Sequence, residues 1–155
     1  MKKKGFSLIE LIVVIAIVSI TSFMALFKFN ILNKIKAKNE VNLLMNDLYY
    51  AKERAIASGQ EVRVSFKEDK YYIRFYNNSY FNGPKLEKER SLSYLKLKIS
   101  PDVKNKPIEF EFKPTGSVGN PQSISFTCEE LYGKDGELII HIGVAGGSLR
   151  IEEKN

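Results

Sequence analysis

One carboxylate stands out on chemical grounds. From Leu8 to Phe27 the sequence LIELIVVIAIVSITSFMALF carries a single charge, Glu10, with Ser19, Thr21 and Ser22 as its other polar residues. Placing a carboxylate in a bilayer costs about 2.5–3.5 kcal/mol on insertion scales, so an acid there is a functional candidate by default. Other residues invite chemistry with less force. Ser93-Tyr94-Leu95-Lys96 spells the S-x-x-K of acylating serine enzymes, but its companion motifs are missing. His141 is the only histidine, with no second ligand type at metal-binding spacing. The glycine-rich GVAGGS (143–148) precedes no helix whose N-terminus could hold phosphate, and reads as a hairpin. NNS (77–79) fits a glycosylation sequon. No acid pair is placed to suggest hydrolysis. Neither an enzyme nor a resident cofactor or metal is expected.

The segment that carries Glu10 has its own logic. About twenty apolar residues suffice to span a hydrocarbon core of roughly 30 Å. Positions 8–27 meet that length, and Lys2, Lys3 and Lys4 upstream favour a cytoplasmic N-terminal side. A secretory signal also begins with lysines, but its apolar core is about 7–15 residues long and ends at a small-residue cleavage site. A plain membrane anchor fits the length and leaves Glu10 unexplained.

The stretch KKKGFSLIELIVVIAI closely resembles the N-terminus of type IV pilins and pseudopilins. The resemblance implies that a prepilin peptidase cuts between Gly5 and Phe6 and that the new Phe6 amine is methylated. It also implies that Glu10, at the fifth mature position, pairs with the Phe6 amine of a neighbouring subunit during assembly. Opposite charges attract strongly in low dielectric, whereas each alone is costly to bury. The acid is then tolerated in the membrane and satisfied in the fibre. A glycine at the cut site lets a peptidase approach the backbone closely.

With 155 residues there is room for one long helix and one globular domain of about 100 residues. Lysine and arginine number 24 against 18 acids, an excess too modest to announce nucleic-acid binding. Between Lys85 and Lys106, however, Lys85, Lys88, Arg90, Lys96, Lys98, Lys104 and Lys106 face only Glu87, Glu89 and Asp102. Such a run is usually a solvated face. Cys128 is alone, so the chain forms no internal disulfide, a departure from many pilin-like proteins. It alternates with Ile124 and Phe126 and reads as a buried small hydrophobe.

From Phe6 to Ser58 there is neither glycine nor proline. Beyond Phe27 apolar residues recur at helical spacing through Ile31, Ile35, Val41, Leu44, Met45, Leu48, Ala51, Ala55 and Ile56. Gly59 suits a left-handed C-cap. The pattern predicts one helix of about fifty residues, roughly 75–80 Å long. After Gly59 the period becomes two. Strands are predicted at 61–68 and 71–78 around an Glu68-Asp69-Lys70 turn, at 95–99, 108–114, 123–128, 137–143 and 148–152, with 77–90 as a polar loop. The fold class is therefore α+β: a long N-terminal helix, apolar then amphipathic, packed on a C-terminal antiparallel β-sandwich-like domain.

The organisation expected is a cleaved leader at 1–5, a transmembrane or filament-core half-helix at 6–27, an amphipathic half at 28–59, and a β-rich domain at 60–155. The order of hairpin, FEFKPTGSV, a strand and a final glycine hairpin ending LRI looks like the GspH/FimT group of minor pseudopilins. That resemblance implies a structural subunit of a type IV pilus or of a secretion or competence pseudopilus. The implied partners are other pilins through the N-terminal helix, the prepilin peptidase, the inner-membrane assembly platform, and the membrane before assembly. The implied location is a single-pass membrane protein with an extracytoplasmic domain, then the filament at the cell surface. Some FimT-like proteins bind DNA through a basic C-terminal region; here the tail LRIEEKN has Arg150 followed by two glutamates. Phosphate contact needs clustered positive charge, so DNA is a partner only through the Lys85–Lys106 segment, and is not favoured.

Overall fold

The structure, a computed structural model, describes residues 7–67, 69–76, 83–98, 108–143 and 145–154, and at 24–30 the backbone alone. Residues 1–6, 77–82 and 99–107, with 68, 144 and 155, lie outside it. The chain divides into two compact units, Met1–Ile35 and Lys36–Asn155.

Helix α1 runs Leu8–Ser58, 51 residues without interruption, as the absence of Gly and Pro predicts. It ends where Gly59 adopts φ 67°, the left-handed conformation that closes a helix cheaply only with glycine. Within the first unit apolar side chains cover every side of the helix from Leu8 to Phe23, interrupted only by Glu10, Ser19, Thr21 and Ser22, and Leu8, Ile9, Leu11 and Ile12 are all more than half exposed. The hydroxyls of Ser19 and Thr21 donate to the carbonyls of Ile15 and Ile17 at 2.8 and 3.0 Å. Such back-bonding satisfies a hydroxyl inside its own helix.

In the second unit α1 turns one face to a core. Ala37, Val41, Leu44, Met45, Leu48, Ala51 and Ala55 are buried there. Ile31, Ile35 and Ile56, expected on the same stripe, are exposed. The packed stripe begins only at Ala37, after the first two, and Ile56 lies one residue beyond Ala55 around the wheel.

Nine strands follow among the described residues. They are β1 (Val62–Lys67), β2 (Lys70–Phe75), β3 (Lys85–Ser91), β4 (Lys96–Leu97), β5 (Ile108–Phe112), β6 (Val118–Gly119), β7 (Gln122–Thr127), β8 (Glu137–Ile142) and β9 (Leu149–Lys154). They form a five-stranded sheet, β3-β2-β1-β5-β6, and a four-stranded sheet, β4-β7-β8-β9. All recorded pairings are antiparallel. Phe66 of β1 joins the sheets: its ring lies 5.7 Å from that of Phe126 on β7 and 6.4 Å from Phe110 on β5. The period-two expectation holds in β1, where Val62, Val64 and Phe66 are buried, and in β7, where Ile124, Phe126 and the neighbouring Cys128 are.

Two expectations are corrected. Residues 85–91 are a strand, not part of a polar loop; the loop's 77–82 portion lies outside the described residues. Its inward positions carry Lys88 and Arg90 instead of apolar residues, because an acid on α1 receives them. The strand expected at 95–99 is only Lys96–Leu97 within the described residues, although Leu95 is buried as expected. Short elements without a period, β6 and helix α2 (Glu129–Tyr132), escaped the sequence pattern altogether.

Candidate functional site

The helix N-terminus comes first. Gly5 and Phe6 lie outside the described residues. Ser7 begins them, and its backbone N–H donates to Oε2 of Glu10 at 2.9 Å. This is one arm of a capping box: the third helical residue reaches back to satisfy an amide that no helical carbonyl can reach. The spacing S-x-x-E carried that signal. Glu10 is therefore held locally, at a helix end whose dipole favours negative charge, and its side chain is exposed. Around it the exposed surface is apolar as far as Phe23.

Sequence reasoning missed the residue that organises the second half of α1. Asp47 sits on the buried stripe between Leu44 and Leu48 and is only 3% exposed. Its Oδ1 accepts Lys88 at 2.8 Å, while Oδ2 accepts the Tyr71 hydroxyl at 2.8 Å and Nε of Arg90 at 3.2 Å. Burial alone pushes the Asp47 carboxyl up, but the hydrogen bonds from Lys88 and Tyr71 and the charges of Lys88 and Arg90 hold it below the ordinary value. Burial beside this carboxylate also pushes the Tyr71 hydroxyl far up, so it stays a donor. A turn of helix later, Glu87 of β3 accepts both the Tyr50 hydroxyl at 2.6 Å and Nε of Arg54 at 3.3 Å. The findable signal was an acid on an apolar stripe.

Glu40 makes a second clasp. Its carboxylate accepts the backbone N–H groups of Ser93, Tyr94 and Leu95 at 2.9–3.0 Å. Three consecutive amides converge on one acid, a nest closed by α1 itself.

The basic candidates do not form one patch. Lys88 and Arg90 turn inward to Asp47, and Lys98 is paired with Glu137. Lys85 and Lys96 are exposed, and Lys104 and Lys106 lie outside the described residues. Ser93 and Lys96 line one shallow polar hollow of about 170 Å³ with Thr127, Glu129, Glu130 and Lys134. There the Ser93 amide already serves Glu40. Ser93 precedes β4, while Lys96 opens it. His141 lies between Ser123 Oγ at 2.7 Å and Glu152 at 2.9 Å, spanning β7, β8 and β9 on exposed surface. Among the described residues no group of acids, histidine and cysteine could hold a metal ion. Cys128 is buried, and burial pushes its thiol up, away from the reactive thiolate.

Among the described residues no helix is long and apolar enough to cross a membrane. The expected span, 8–27, includes positions 24–27, whose side chains are outside the described set.

Comparison with known proteins joins the two ends of the chain. Residues 1–26 match the prokaryotic N-terminal methylation motif, and residues 40–146 match the type II transport protein GspH. No curated protein and no solved structure matches the chain. The second match takes in α1 from Glu40 onward, strands β1 to β8, and the Glu40 and Asp47 clasps, over most of the sequence. The chain thus belongs to the GspH family of pseudopilins.

Proposed function

We propose that this protein is a minor pseudopilin, a structural subunit of a type II secretion or competence-type pseudopilus or of a type IV pilus. The observation that carries the reading is the outer half of α1: apolar around its whole circumference, exposed, and bearing one acid at its start. A helix that is hydrophobic all round must be covered by lipid or by other helices. The internal bonding of Ser19 and Thr21 suits both surroundings, since neither offers water to a hydroxyl.

In this scheme residues 1–5 are the leader, removed by prepilin peptidase between Gly5 and Phe6. Residues 6–27 hold the subunit in the inner membrane and later in the filament core. Residues 28–59 join the β-rich domain, 60–155, on the extracytoplasmic side. Glu10 then pairs with the methylated Phe6 amine of a neighbour. The assembly platform and sibling pilins are the partners. Co-expression with an active prepilin peptidase is expected to move the N-terminus to Phe6, read by intact mass. An intact leader under those conditions rules the assignment out.

A filament-borne DNA-binding subunit is the weaker reading. Of its candidate residues, Lys88, Arg90 and Lys98 are occupied by carboxylates of the same chain. The paired cations have no need of phosphate.

A further inference from the structure

The outer face of the five-stranded sheet brings two arginines together. Arg63 of β1 and Arg74 of β2 are direct cross-strand partners, and they alternate with the buried Val62, Val64 and Ile73, so both point away from the core. Like charges so placed repel. Arg63 is compensated: it reaches Glu111 at 3.4 Å and Glu109 at 3.9 Å, and lies 4.4 Å from the centre of the Tyr76 ring. Arg74 has no carboxylate among the described residues. Its Nη1 donates to Ser65 Oγ at 2.8 Å, and its guanidinium sits 4.9 Å from the centre of the Tyr72 ring. Ser65 is 3% exposed, so Arg74 is fixed from beneath by a buried hydroxyl and from the side by an aromatic ring. A guanidinium has five donors in a rigid fork that matches a carboxylate. Here the fork is oriented in advance, and among the described residues no carboxylate offsets its charge.

We propose that the Arg63–Arg74 face is a docking site for an acidic segment of a partner protein, with Arg74 receiving its carboxylate. Tyrosine and arginine are the residues enriched at the energetic centres of protein interfaces. Charge selects the partner class. Glu109 pairs across from Ser65, Glu111 from Arg63, and Glu89 from Tyr72, so acids border the site on both sides. A continuous phosphodiester chain meets that border with repulsion, whereas a single side-chain carboxylate needs only Arg74. This contact is separate from assembly through α1, and gives the globular domain its own means of choosing a neighbour.

The test is a titration of the full-length chain in neutral detergent micelles with an amidated Gly-Ser-Glu-Ser-Gly peptide carrying an uncharged fluorophore, so that the glutamate supplies its one carboxylate, followed by anisotropy. A dodecathymidine oligonucleotide is run in parallel. Saturable binding of the single-glutamate peptide is expected, weakened at least tenfold by Arg74→Gln and little changed by Lys113→Gln, which removes an equal charge elsewhere. Arg74→Lys keeps the charge without the fork and is expected to lose most of the affinity as well; it serves as the test if Arg74→Gln fails to fold. Absence of binding, binding unaffected by both Arg74 variants, or tighter Arg74-dependent binding of the oligonucleotide overturns the proposal.

Discussion

The backbone N–H of Ser7 donates to the carboxylate of Glu10 across one helical turn, at 2.9 Å. A single acid thus has a local task, capping, as well as the intersubunit task proposed for it. The two tasks respond differently to substitution. Glutamine can make the same capping bond but carries no charge. Glu10→Gln is expected to leave insertion and cleavage intact and to lower incorporation into filaments, with Glu10→Val at least as defective and Glu10→Asp intermediate. Breaking a buried ion pair typically costs about 3–5 kcal/mol. The fraction of processed protein in sheared filaments is the measurement, and wild-type incorporation of Glu10→Gln reduces the residue to a cap.

Asp47 gives a prediction with a pH sign. Its folded-state value lies below the unfolded one, so its stabilisation is present above the ordinary aspartate pKa of about 3.9 and is lost as pH falls through the folded value. Asp47→Asn is expected to cost about 1.5–3 kcal/mol at neutral pH, the range for hydrogen bonds to charged groups. Urea midpoints of the two proteins then converge as pH falls below about 4. A gap that stays constant from pH 7 to pH 3 assigns the loss to packing.

Removing the Glu40 carboxylate leaves the amides of Ser93, Tyr94 and Leu95 without their acceptor. Glu40→Ala is expected to destabilise by about 1–3 kcal/mol, and hydrogen exchange is expected to accelerate at those three amides first. Uniform acceleration through β7 and β8 contradicts a local clasp.

Phe66 touches ring partners in its own sheet and in the other. Phe66→Ala is expected to cost about 3–5 kcal/mol, whereas Phe66→Leu retains most of the stability. Thermal denaturation in micelles distinguishes them.

Much of the fold could be read in advance because apolar period and breakers coincide: no Gly or Pro from Phe6 to Ser58, then Val62, Val64 and Phe66 at period two. β3 was hidden for a physical reason. Its inward side chains, Lys88 and Arg90, are bound by Asp47 rather than packed in a core, so an edge strand with no buried residue wrote itself in charges. The same residues entered the DNA-binding candidates for want of a partner that only the tertiary structure supplies. Glu10 was visible because its surroundings are uniform. The Arg63–Arg74 pairing was not, since cross-strand register is absent from a linear pattern.

The Glu40 nest also has a mechanical side. In the assembly proposed above, a subunit drawn from a bilayer into a filament is pulled along α1 from the end that bears Glu10. Of the polar clasps described within the second unit, Glu40 is met first along the chain, then Asp47, then Tyr50 and Arg54 with Glu87. One rigid carboxylate bonded to three successive amides loads those bonds in parallel, so they share the force and must yield together instead of peeling one by one. The clasp is then the first polar tether through which such a pull passes from α1 into the β-domain, ahead of the Asp47 bonds.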